Sequence, residues 1–250
     1  MRLALLNTPR SGSTWLRCLL GTTFGLEEFS AFLPEDVPWN SFPERGVLHL
    51  HAYPTRALRK LLWRHRIRPV IVRRHPIDVL ISILHFAPHE PNTAKWLGGL
   101  GGDERELYDA TPTSPAFMRY ATSARARALL SVSPAWADVD DALIVSYERL
   151  AARPVESLNQ IARILGATAA RDPQEAVELH SLARHRSASR NQHYWRGQPG
   201  LWRKLVTSVA AAQIADSQTL AFRTFGYEAD ADPALTTESA AANWEQLRAA

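Results

Sequence analysis

The stretch Leu3 to Trp15, LALLNTPRSGSTW, constrains the fold more than any other part of the chain. Leu3, Ala4, Leu5 and Leu6 form a continuous apolar run, the pattern of a strand buried on both faces of a parallel sheet. Trp15, Leu16, Cys18, Leu19 and Leu20 favour a helix immediately afterwards, and Gly12 permits the backbone angles of a tight strand-to-helix turn. The N–H groups of such a turn and the positive end of the helix converge on one spot, where an anion is stabilised. A Walker A loop, GxxxxGK[ST], places a lysine after the glycine to reach terminal phosphates and a hydroxyl next to it to hold magnesium. Here Ser13 and Thr14 follow Gly12, and the cation, Arg10, precedes it by two residues. The loop therefore reads as a cradle for a phosphate-like anion without the lysine and metal arrangement. An ordinary turn in which Ser13 or Thr14 caps a helix fits the same residues, so other segments must decide.

Composition narrows the class. With 250 residues, 46% hydrophobic and 22% charged, the chain can bury a full core as one large domain or a domain with insertions. Cys18 is the single cysteine, so no intrachain disulfide forms, and no Cys/His cluster has zinc-ligand spacing along the sequence. No metal is expected. The chain opens on a strand rather than a charged segment and apolar core, and no run has the length needed to span a bilayer, so a soluble cytoplasmic protein is the expectation. The net charge is +4, and lysine occurs only at 60, 95 and 204. Arginine-rich composition suits phosphate or sulfate, whose geometry the guanidinium fork matches. Nucleic acid is not the expected partner, because the chain has neither a continuous basic stripe nor a recognised reading module.

Strands and helices alternate along the chain. Val47 to His51 is a second strand, Thr55 caps a helix from Arg56 to about His65, and Pro69 to Arg73 is a third strand leading into a helix from about Pro76 to Phe86. Between about 87 and 114, prolines, glycines and polar residues mark a mobile insertion of the kind that forms substrate gates. Ser114 and Pro115 start a helix reaching about Leu130. Ala142 to Val145 is the fourth strand, and the helix from Pro154 to Leu165 stops at Gly166. Residues 1–228 form the domain; 229–250, rich in alanine and acid, form a C-terminal tail or helix. The fold class is α/β, with a central parallel sheet flanked by helices.

Three more segments bear on the anion. Arg73-Arg74 ends a strand and the following helix carries Ser82, near the open edge of the sheet where α/β ligands bind. In Leu48-His49-Leu50-His51, alternation puts both histidines on one side, and one of them could act as a general base. Trp195 to Trp202, WRGQPGLW, joins a cation, glycines and aromatics in a loop. Taken singly, each also fits solvated strand-end charge, a hydrogen-bonded histidine or a turn with tryptophan packing.

Together the segments resemble the cytosolic-type sulfotransferase family, whose domain has a P-loop NTPase-like fold. Thr8 to Trp15, TPRSGSTW, is similar to the family's TPRSGTTW loop; Arg74 to Ser82 resembles its Arg-strand and Ser-helix signature; and His49-Leu50-His51 resembles its KTHLP segment. Tyr147-Glu148-Arg149-Leu150 resembles Tyr-Glu-Asp-Leu, and Trp195 to Trp202 resembles RKGxxGxW. The resemblance reaches from Leu3 to about Tyr227. It implies transfer of a sulfuryl group from 3′-phosphoadenosine-5′-phosphosulfate (PAPS), leaving PAP, to the hydroxyl or amine of a small-molecule or glycan acceptor.

By that resemblance Arg10, Ser11, Gly12, Ser13 and Thr14 hold the 5′-phosphosulfate, with Arg10 also stabilising charge on the bridging oxygen. Arg74, Ser82, Arg196 and Gly197 grip the 3′-phosphate, Trp15 and Tyr147 contact adenine, and His51 is the catalytic base. No metal takes part. Three positions depart from the pattern: His49 replaces a lysine, Trp195 stands where the late loop begins with arginine, for which Arg190 is a candidate substitute, and Arg203 to Ala212 follows the family's dimer segment only loosely, leaving a homodimer open. A small-molecule kinase of the P-loop class is the alternative enzyme, and it requires a Walker lysine and a magnesium-binding acid. A nucleotide-binding protein of the same fold without turnover is the alternative from another class.

Overall fold

The computed structural model describes residues 1–181, 183–185 and 195–249. Five parallel strands form one sheet: β1 (Arg2–Leu6), β2 (Glu27–Ala31), β3 (Gly46–Leu50), β4 (Arg68–Arg73) and β5 (Leu143–Ser146), in the order β2-β3-β1-β4-β5. The apolar run of β1 is central and buried on both faces. Leu3 and Leu5 pack with Leu16, Leu20 and Leu158 on one side, while Ala4 and Leu6 pack with Leu58, Leu62 and Trp136 on the other. Because β1 sits between β3 and β4, chain order reverses at its C-terminal end, the place where open α/β sheets bind ligands.

Helix α1 (Ser13–Phe24) follows the first turn, α2 (Arg56–Arg64) joins β3 to β4, and α3 (Pro76–Phe86) follows β4. The strand β2 is absent from the sequence reading for a physical reason. Its residues, EEFSA, occupy a sheet edge and are largely exposed, so no apolar alternation marks them. The helix expected from Ser114 to Leu130 is two helices, α4 (Pro115–Ala121) and α5 (Ala124–Leu130). Thr122 Oγ1 donates back to Met118 O at 2.9 Å, and Ser123 Oγ accepts from Ala126 N, ending one helix and capping the next. Then come α6 (Val132–Ala137), α7 (Tyr147–Ala152), α8 (Pro154–Leu165), α9 (Pro173–Leu179), α10 (Ser208–Ser217) and α11 (Thr219–Arg223). The C-terminal residues form α12 (Thr237–Ala249), which buries Trp244 in the cluster that surrounds α3. Among the described residues, no helix is long and apolar enough to cross a membrane.

The segment 87–114, expected to be a mobile insertion, is a succession of short 3-10 turns wrapped on the buried Arg125 side chain. All five guanidinium donors are used: Nε and Nη2 bond Glu104 at 2.7 and 3.3 Å, Nη2 also reaches Thr93 O, and Nη1 reaches Trp96 O and Leu100 O. Tyr120 donates its hydroxyl to the same carboxylate at 3.1 Å. Gly101, at φ 82°, lies so close to the backbone of Arg125 that a Cβ would sit 3.0 Å from its Cα. Gly101 thus serves close packing, whereas Gly98 has open space where a Cβ would stand.

Removing the cation strands a buried carboxylate. Arg125→Ala is expected to lower unfolding free energy by about 3–5 kcal/mol, while Arg125→Met with Glu104→Leu recovers much of that loss. Urea unfolding of the two variants checks both.

Candidate active site

A cavity of about 660 Å³ opens at the C-terminal ends of the strands. Its floor is the turn between β1 and α1. Gly12 adopts φ 95°, and a Cβ there would collide with the Tyr147 ring, so only glycine lets that ring lie over the loop. Arg10 also has a left-handed backbone, φ 64°, which costs a non-glycine residue of order 1–2 kcal/mol. Tertiary contacts hold it there. Its Nε donates to Ser82 Oγ at 3.2 Å, its guanidinium lies 4.1 Å from the centre of the Phe86 ring, and Arg74 Nη1 donates to its carbonyl at 2.8 Å. Arg74 in turn stacks over Tyr147 at 4.4 Å.

The end of β1 ties this loop to its neighbours through Asn7 and Thr8, residues that motif reading passed over. Asn7 Oδ1 accepts from Val72 N of β4. Thr8 N donates to Ser133 Oγ at 2.9 Å, and Ser133 Oγ donates to Val72 O at 3.0 Å. Asn7 O accepts from His51 Nδ1 at 2.7 Å, a contact prepared by the register Leu6↔Leu50 one residue earlier. A carbonyl can only accept, so Nδ1 carries the proton and Nε2 holds the lone pair.

Desolvation in the cavity wall, helped by the Arg10 charge, pushes His51 down to about 4, although its bond to Asn7 O favours the protonated ring. His51 is therefore neutral at physiological pH. The rings of His49 and His51 meet edge to face at 4.7 Å, as alternation predicts. His49 Nε2 and Ser13 Oγ are hydrogen-bonded at 2.8 Å, which ties the histidine strand to the start of α1.

The back wall comes from α3 and a late loop. Asp78 takes Gly200 N at 2.6 Å and Trp202 N at 3.1 Å on its two oxygens, fixing the loop that begins at Trp195. Tyr147 donates its hydroxyl to Gly197 O at 2.6 Å, and Trp195 stacks on His85 at 4.3 Å. In sequence Asp78 looks like an ordinary acid in a helix's first turn, because its partners lie far along the chain. Trp15 stands beside Tyr147 with ring centroids 6.4 Å apart.

Arg10, Gly12, Ser13, Thr14, Trp15, His51, Arg74, Ser82, Tyr147 and Gly197 all border the cavity. Ser11 lies beneath it, fully buried. Arg196 does not join them. Its Nη2 donates to Leu247 O of α12 at 2.7 Å, a helix that sequence did not connect to this loop. Arg190 lies outside the described residues. Phe86 and Trp96 border the cavity, whereas Phe117 is core. The structure also gathers Cys18, His180 and His185 at the cavity's edge, a cluster their sequence spacing conceals.

Residues 2–204 match the family model of the sulfotransferase domain. The mouse sulfotransferase SULT7A1, solved in complex with PAP, is similar in fold, with a TM-score of 0.64 and 15% identity over 91% of this chain and 89% of that one. Retinol dehydratase is similar too. Its complex with androsterone and inactive cofactor PAP gives a TM-score of 0.53 at 14% identity, covering 93% of this chain and 82% of that one. Its complex with retinol and PAP gives 0.52 at 14%, covering 93% and 83%. Likeness at these identities concerns the fold. No curated protein matches the sequence.

The His51 environment has a stability consequence. Its folded pKa of about 4 lies below its unfolded value of 6.5, so on acidification the unfolded chain binds a proton that the folded chain refuses. This contribution is complete above the unfolded value and is lost as pH falls towards the folded one. Between about pH 7 and pH 4.5, His51→Gln should lose roughly 2 kcal/mol less stability than the parent. Urea unfolding at stepped pH measures this, and identical pH dependence in both proteins would refute the assignment. His75, His85, His180 and His185 are also lowered, chiefly by burial, but they remain in both proteins.

Proposed function

The chain belongs to the sulfotransferase domain family, and on that premise we propose that it moves a sulfuryl group from PAPS to an acceptor hydroxyl or amine, with His51 as the base. The observation that carries this reading is that His51, whose Nε2 holds the lone pair, borders the same cavity as Arg10 and Arg74.

The residues present fit the nucleotide. Ser11 Oγ and Arg74 Nε are buried polar atoms with no hydrogen-bond partner among the described residues, and both belong to the anion-binding segments. Arg10, Ser11, Gly12, Ser13 and Thr14 would hold the phosphosulfate. Arg74, Ser82 and Gly197 would hold the 3′-phosphate, with Trp15 and Tyr147 against adenine. When bound, PAPS supplies the sulfuryl group and leaves as PAP.

This chain's own contribution is placement and proton handling. Arg10, held by Ser82 and Phe86, sets a fixed positive charge where negative charge develops. His51, neutral and oriented by Asn7, takes the acceptor's proton at Nε2. His49, in the place of the family's lysine, bonds Ser13 and so serves the loop as a polar tether. The kinase alternative needs an acid to hold magnesium. Asp78, an acid of the cavity wall, already has both oxygens on backbone N–H groups. The segment 87–114, which brings Trp96 to the cavity, stands as the acceptor gate of this proposal.

An acceptor screen with PAPS, read by the mass gain of sulfonated product, tests the proposal. A broad panel giving no product despite PAP binding would favour the reading without turnover. His51→Ala should lower turnover by about 10²–10⁴-fold while keeping PAP affinity; undiminished turnover would reject the base. Arg74→Ala should weaken binding of PAP by roughly 1.5–3 kcal/mol more than that of adenosine nucleotides lacking the 3′-phosphate. Calorimetry of the two nucleotide classes decides, and equal losses would reject the 3′-phosphate assignment.

A further inference from the structure

Outside the anion cradle, one group of side chains has the chemistry of a metal site. Cys18 on α1, His180 just after α9 and His185 five residues on each present a ligating atom, and the three atoms lie within 4.8 Å of one another. We infer that Cys18, His180 and His185 form a site for a divalent transition ion of the zinc class, which clips the segment 180–185 onto α1. The donor set of one thiolate and two imidazoles matches borderline-soft ions rather than calcium or magnesium, which take oxygen ligands. Tetrahedral zinc needs ligand atoms about 3.4 Å apart, given bonds of about 2.0–2.3 Å. The three atoms would draw together by up to about 1.4 Å when an ion binds.

The site is organised before any ion arrives. Trp15 Nε1 donates to His180 O at 2.8 Å, and Thr22 Oγ1 lies 2.6 Å from His180 Nε2, so α1 holds both the backbone and the ring of that residue. The two imidazoles lie nearly parallel, 16° apart, with centroids at 5.4 Å. Such outer hydrogen bonds orient histidine ligands in metal sites. Glu28 on β2, which accepts from Arg17 Nε at 2.9 Å, lies beside the thiol and is the candidate fourth ligand, with water as the other. Burial and the Glu28 charge push the Cys18 thiol up to about 11, so the bare protein carries S–H. Binding then forms a sulfur–metal bond and releases the thiol proton to solvent.

The location gives the ion a structural consequence. Ser181 and His185 border the same cavity as Trp15. An ion joining α1 to this segment therefore fixes the cavity wall at the tryptophan, independently of what the cavity binds.

Cobalt(II) is the probe. The full chain, without an affinity tag and stripped with a chelator, is titrated with cobalt(II) chloride and followed optically. The expected result is a thiolate-to-cobalt charge-transfer band that saturates at one ion per chain and is erased by zinc. Cys18→Ser should abolish the band, and His180→Ala and His185→Ala should weaken the binding that produces it. Near-ultraviolet circular dichroism verifies that each variant is folded. His185→Ala, at the far end of the segment, decides if changes at Cys18 or on the α1 side disrupt the fold. Absence of a thiolate band, a band that survives Cys18→Ser, or unchanged affinity in His185→Ala overturns the inference. None of these outcomes depends on sulfuryl transfer.

Discussion

The helix α3 is the constraint on which the rest of the site depends. All 11 of its residues are buried, so it cannot point a polar face to water, as a surface helix would. Its polar residues nevertheless recur at Asp78, Ser82 and His85, spaced i, i+4 and i+7, which places them on one stripe. Each position on that stripe holds a different part of the cavity. Asp78 fixes the late loop by its backbone, Ser82 receives Arg10, and His85 stacks on Trp195. Since Ile77, Leu80, Ile83 and Leu84 are locked in the surrounding core, the stripe cannot turn. Three chain-distant segments therefore take their positions from one rigid rod.

Charge placement follows from the same economy of partners. Arg10 and Arg74 contact a hydroxyl, two aromatic faces and a backbone carbonyl. Two carboxylates of this neighbourhood are engaged on other groups. Asp78 caps the late loop, and Glu148 accepts from His75 N at 2.8 Å and from the Tyr227 hydroxyl. Both guanidiniums border the cavity and lend positive charge to its wall. Burial, with the Arg10 charge, keeps His51 unprotonated.

What sequence showed of this depended on whether the signal was local. The run of β1, the turn through Arg10 and Gly12, and the helices starting at Pro76 and Pro154 were legible because apolar period, glycine and capping chemistry lie within a few residues of one another. The edge strand Glu27–Ala31 was not, since an exposed edge carries no alternation. The break at Thr122 was missed because one hydroxyl decides it. Asp78, Asn7 and Ser133 were invisible as site builders, because each acts on residues many tens of positions away. The packing role of Gly101 was hidden for a related reason: the Arg125 backbone it approaches lies beyond the segment.

The fate of Arg196 shows how motif order and placement can separate. In sequence it is the sole cation of the late loop and the natural grip for a distal phosphate. In the structure the loop is held by other groups, Gly197 O by Tyr147 and Gly200 N by Asp78, so its path does not require the arginine. That leaves the guanidinium available to α12, whose last turn presents carbonyls lacking partners within the helix. Arg196 satisfies one of them at Leu247 O, while Trp244 of the same helix packs edge to face on Trp195 at 5.6 Å. The residue thus links the late loop to the C-terminal helix, while Arg74, held by Tyr147 and the Arg10 carbonyl, borders the cavity.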